Sequence, residues 1–165
     1  MKKLARCICL ATALATAPLT PAFAASLESY VGQQPEALLK SKADFAKAYR
    51  SAVKGVDLPV WTKRLAAGKA SEVVVIDNSR YLLTSACSSR GCLDEILYVV
   101  FDPGSGLASG FFYLPPAGDT PGDTRTAFSR WYGLPTDAGK AKAISNFLIE
   151  RAATDAQTLA NPPKK

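Results

Sequence analysis

The 165-residue chain contains no histidine. That absence removes the Ser-His-Asp and Cys-His catalytic arrangements, which need an imidazole as base. It also removes the histidine-ligated metal centres. Beyond residue 19 no run approaches the ~20 uninterrupted apolar residues of a membrane-crossing helix, so no membrane insertion is expected. Internal repeats are absent, and so is a glycine-rich phosphate loop. Gly104-Ser105-Gly106 lies between two expected strands and not between a strand and a helix, so it reads as a turn.

The N-terminus sets the compartment. Lys2, Lys3 and Arg6 form a positive start, residues 7–19 are apolar but too short to span a bilayer, and Ala22-Phe23-Ala24 offers small residues at the positions a signal peptidase reads. Residues 1–24 are therefore expected to be a cleaved signal peptide, with the cut after Ala24 and residues 25–165 forming a single domain. A lipid anchor is not expected, because Cys7 and Cys9 come before or at the start of the apolar run. The leader carries three of the 20 basic residues and none of the 14 acidic ones, so the formal charge falls from +6 to +3. A charge that mild does not suit a nucleic-acid partner.

Loss of the leader also leaves two of the four cysteines, Cys87 and Cys92. In an oxidising compartment a disulfide between them is expected, with reduced thiols as the alternative. The C-x4-C spacing does not match a thioredoxin-type pair, and a zinc site would need more ligands. No cofactor and no metal are expected.

Alternation and turn chemistry place the elements. Pro35 sits near a short helix. Ser41-Lys42-Ala43-Asp44 reads as a capping box, opening a helix in which Phe45, Ala48, Tyr49, Ala52 and Val53 share a face and which Gly55 stops. Pro59 breaks the chain before Trp61, which is a core plug or, in the alternative, an exposed docking aromatic. Strands are expected at 73–76, 81–86, 95–101 and 107–114, with turns at 77–80 and 102–106. The unbroken apolar run at 96–100 suits a central strand covered on both sides. Residues 124–131 are ambiguous, with an edge strand at 124–128 preferred. A last helix runs over 136–153 with Ala141, Ile144, Phe147 and Leu148 on one face, and a loose tail follows. The fold class is α+β: a central antiparallel sheet of about five strands flanked by helices on both faces, a three-layer α/β/α sandwich.

Chemistry-bearing patterns are few. Ser51-Ala52-Val53-Lys54 matches S-x-x-K, but without its companion motifs. Asp94 and Glu95 are adjacent, so in a strand they point to opposite faces. No catalytic residue is assigned and an enzyme is not expected. What remains is Ser88-Ser89-Arg90-Gly91, a clamped loop at a strand end. Pre-organisation suits such a loop to binding; it could equally serve only to tie the connection.

Leu58-Pro59-Val60-Trp61, Ser85-Ala86-Cys87 with Cys92 five positions on, Gly110-Phe111-Phe112 and Gly139-Lys140 together resemble the inhibitor of vertebrate lysozyme (Ivy) family, over residues 42–150. The resemblance implies a periplasmic protein that inhibits C-type lysozyme by inserting the disulfide-closed loop into the enzyme's cleft. In that family a loop histidine bonds the catalytic carboxylates. Here Arg90 stands at that position, Gly91 at a position usually acidic, and Ser88 and Ser89 before them. A guanidinium can bond two carboxylates through its planar fork and stays charged. The partner expected is thus C-type lysozyme or an endogenous lytic transglycosylase. A periplasmic structural or chaperone-like module is the other reading, and a homodimer is compatible with the sequence.

Overall fold

The computed structural model describes residues 26–88, 91–114 and 128–161. The described residues form three α-helices and a five-stranded sheet, an α+β arrangement. In order these are α1 (Pro35–Ser41), α2 (Ala43–Ala52), β1 (Ala67–Ile76), β2 (Ser79–Ser88), β3 (Gly91–Asp102), β4 (Leu107–Leu114), β5 (Phe128–Tyr132) and α3 (Ala138–Ala160). Two 3₁₀ turns, Leu27–Ser29 and Val60–Lys63, complete the described elements. The strands lie in chain order, each antiparallel to the next.

The expected capping box is not formed. Ser41 is the last residue of α1, and its hydroxyl donates to the Ala37 carbonyl at 2.8 Å. Lys42 is the N-cap of α2 and caps nothing with its side chain. Pro35, pre-set in φ for the first helical position, starts a helix upstream and takes Ser41 into it. Asp44 Oδ1 instead accepts the Phe45 amide at 2.8 Å, and Oδ2 accepts the Tyr30 hydroxyl.

Between β1 and β2, Asp77 and Asn78 adopt φ of 47° and 59°. Positive φ at both central residues gives the turn whose twist matches the flanking strands, so the hairpin closes in two residues and β2 begins at Ser79. β1 begins six residues before the expected strand, with its register broken between Lys69 and Glu72. The fifth strand lies at Phe128–Tyr132, C-terminal to the preferred 124–128, of which only Phe128 is described. The last helix starts at Ala138, where Asp137 accepts the Lys140 amide at 2.7 Å, and continues to Ala160, well past 153. The tail beyond 161 lies outside the described residues.

Alternate residues of the same strands enter two apolar clusters. Leu82, Leu97 and Phe101 pack with Leu38, Phe45 and Tyr49 of α1 and α2. Leu83, Tyr98 and Val100 pack with Ile144, Leu148 and Ala152 of α3. β3 supplies both clusters, which is why its apolar run is buried at every position from 96 to 101. Gly110 on β4 is required by a close approach. A Cβ there would meet the Tyr98 carbonyl oxygen at 1.9 Å and the Tyr132 hydroxyl at 2.6 Å. Its absence lets the Tyr132 phenol cross β4 and donate to the Tyr98 carbonyl. Among the described residues no helix is long and apolar enough to cross a membrane.

Candidate functional site: the Cys87–Cys92 turn

β2 and β3 bring the two cysteines together. Their Cα atoms are 4.9 Å apart and a disulfide joins them. Ladder pairing holds to Cys87–Ile96 and then resumes at Ser88–Gly91. The residues of β3 between these two pairs, 92–95, bulge out of register, and the disulfide spans that bulge. The loop is thereby tied twice, by the sulfurs and by the Ser88–Gly91 pair.

Each expected site residue can be placed as follows. Cys87 is buried, and Cys92 is half-buried against the α3-side cluster. Ser88 is buried at the end of β2, and among the described residues its hydroxyl has no hydrogen-bond partner. Gly91 opens β3 opposite it. Ser89 and Arg90 lie outside the described residues.

Sequence reasoning missed the brace beneath this turn. Trp61 is half-buried, with its indole Nε1 donating to Glu95 Oε2 at 2.6 Å and its ring tilted against Phe112 at 6.3 Å. It therefore acts as neither a pure core plug nor a free docking aromatic. It ties the 3₁₀ turn Val60–Lys63 to the base of the clamped loop. The signal available was Glu95 itself, an acid set into an apolar strand and in need of a donor. Of the adjacent acids Asp94 and Glu95, Glu95 is turned to Trp61 and the Asp94 side chain lies outside the described residues. Ser51 is exposed near the end of α2 and Lys54 is exposed beyond it, where the Lys54 amide donates to the Ser51 carbonyl at 3.3 Å.

A second polar cluster lies where α3 meets β1 and β3. Asp155, 5% exposed, accepts Lys69 Nζ at 2.8 Å, the Tyr98 hydroxyl at 3.1 Å and Arg151 Nε at 3.3 Å. Arg151 also donates to Glu72 at 2.6 Å. Burial, then the Asp155 charge, pushes the Tyr98 phenol well above its ordinary range. Every strong group here is matched by a partner, so the cluster is a clasp between helix and sheet. Among the described residues no group of three or more potential ligands is placed to hold a metal.

No known protein-family model and no curated protein matches the chain.

Proposed function

We propose that the chain is a periplasmic inhibitor of C-type lysozyme of the Ivy type, which presents the loop between Cys87 and Cys92 to the enzyme's active-site cleft. The observation that carries this reading is the covalent closure of the β2–β3 connection at a strand end. A loop tied by a disulfide, by the Ser88–Gly91 pair and by the Trp61–Glu95 brace loses little freedom on docking, which is what a protruding inhibitory loop needs. Arg90 is the residue that engages the paired carboxylates of the cleft, with Ser88, Ser89 and Gly91 shaping the turn. The leader delivers the protein to the periplasm, where the disulfide forms. The mature residues 25–165 form one domain, read as a three-layer α/β/α sandwich because separate apolar clusters join α1–α2 and α3 to alternate strand residues. The protein itself carries out no catalysis in this reading.

Cell-wall lysis by hen or human lysozyme tests it directly. Addition of the mature protein is expected to slow lysis, and Arg90→Ala is expected to remove most of that effect. Undiminished lysis at a large molar excess overturns the reading, and an unchanged inhibition constant for Arg90→Ala moves the site away from the loop.

A further inference from the structure

The opposite end of the sheet holds a cleft that the loop does not use. Its volume is about 590 Å³, within the range that takes a drug-sized ligand. It lies between the C-terminal half of α2, the β3–β4 turn and the segment leading from β5 into α3. The cysteine turn joins the end of β2 to the start of β3, whereas this cleft meets the start of β2 and the end of β3. The two features are therefore separated by the length of the strands.

The charged groups of the cleft are unequal in their commitments. Asp102 Oδ1 accepts the Gly104 amide at 2.9 Å and Oδ2 accepts the Ser105 hydroxyl at 2.7 Å. Asp137 is occupied as the N-cap of α3. Both acids have oxygens turned to their own loops, and each keeps its charge, so the two cations and two acids of the lining balance in number. Lys47 and Lys140, which also line the cleft, are exposed and form no ion pair among the described residues. Apolar side chains make up much of the remaining lining, beside Ser51, Ser105 and Thr136. Leu107 is 57% exposed and Leu134 37% exposed, and both line this one depression. The floor is fixed as well. Gly133 sits at φ 60°, where a Cβ would meet the Ala108 carbonyl oxygen at 2.1 Å, and its own carbonyl accepts the Ser109 hydroxyl at 2.6 Å.

We infer that this cleft binds a small amphiphilic carboxylate, with the anionic head between Lys47 and Lys140 and the apolar body along Leu107 and Leu134. Two uncommitted cations beside two exposed leucines match a ligand with one negative end and an apolar remainder. The inference is independent of the loop, so it stands or falls apart from lysozyme inhibition.

Decanoate titrated into the isotopically labelled mature protein is the test, read by amide chemical shifts, with decyltrimethylammonium as the charge control. Decanoate is expected to saturate a single site with shifts confined to α2, the β3–β4 turn and the start of α3. The Lys47→Gln/Lys140→Gln double variant is expected to weaken binding by about two- to thirtyfold while keeping the fold's spectrum, the loss set by two exposed ion pairs. No saturable shift at millimolar decanoate overturns the inference. Equal binding of the cationic amphiphile, or full affinity in the double variant, also overturns it, because either result shows apolar adsorption without recognition of the head group.

Discussion

A disulfide across five positions removes little freedom from the unfolded chain. The chain-entropy relation gives about 2 kcal/mol for so short a loop. Cys87→Ala/Cys92→Ala is therefore expected to remain folded, with unfolding in urea shifted by about that amount, while the proposed lysozyme inhibition is expected to fall by a larger factor. Inhibition that declines only in step with stability would show that the clamp serves the fold alone. Trp61 is the second support. Trp61→Phe keeps an aromatic ring against Phe112 but deletes the indole N–H that reaches Glu95 at 2.6 Å. A hydrogen bond to a charged group contributes about 1.5–3 kcal/mol, so a loss near the lower end of that range is expected from denaturant unfolding, because Trp61 is only half-buried. The clamp itself was legible in the sequence, since setting the expected leader aside leaves two cysteines with each other as partners. The brace was not, because it joins residues 34 positions apart whose pairing depends on how the chain turns at Pro59.

At the scale of elements, α3 shows how a clasp extends a helix. Its apolar face over Ile144, Leu148 and Ala152 would suffice to dock the first turns. The last turns are carried by Asp155, held by Lys69, Arg151 and Tyr98. Asp155→Ala leaves Arg151 paired with Glu72 and frees Lys69 to turn toward solvent, since the Lys69 side chain is already part-exposed. The Tyr98 hydroxyl, 1% exposed as a residue, has no such recourse. A loss of about 2 kcal/mol is expected from stranding one buried donor, with amide exchange accelerated chiefly over residues 151–158. Exchange unchanged in that segment would mean that the apolar face alone holds the helix. This clasp also explains a misplaced boundary: apolar periodicity faded after Ala153, and the turns beyond it are held by charge, which periodicity does not report. The other errors have the same character. Ser41 has the right chemistry for a cap but was claimed by the helix that Pro35 begins. The first half of β1 has no alternation to read, because its register breaks between Lys69 and Glu72. The strands at 81–86, 95–101 and 107–114 were legible because aliphatic and aromatic residues dominate them, without a break at 96–101, and because the turn at 102–106 carries Asp, Pro and Gly.

Across the whole molecule, buried phenols stitch the parts together. The Tyr49 hydroxyl donates to the Thr62 carbonyl at 2.9 Å, joining α2 to the turn that carries Trp61. Tyr98 joins β3 to α3 through Asp155, and Tyr132 crosses from β5 to the Tyr98 carbonyl. Tyr30 reaches Asp44 on α2 from the N-terminal turn. All four must keep their protons to donate these bonds. Burial raises the phenols of Tyr49, Tyr98 and Tyr132 well above the ordinary value, and burial together with the Asp44 hydrogen bond pushes Tyr30 up to about 12. In the unfolded chain the same groups ionise near pH 10. A group whose folded value is the higher one contributes its full stability below the unfolded value and loses it as pH rises toward the folded value. Stability is therefore expected to be flat with respect to these groups below about pH 10 and to fall steeply above it. The slope approaches 1.4 kcal/mol per pH unit for each of Tyr49, Tyr98 and Tyr132. Alkaline titration followed by phenolate absorbance, alongside far-ultraviolet circular dichroism, checks this. The four tyrosines are expected to ionise together with loss of the sheet. Smooth ionisation of all the phenols near pH 10, with the sheet retained, would show that these bonds do not hold the helices to the strands.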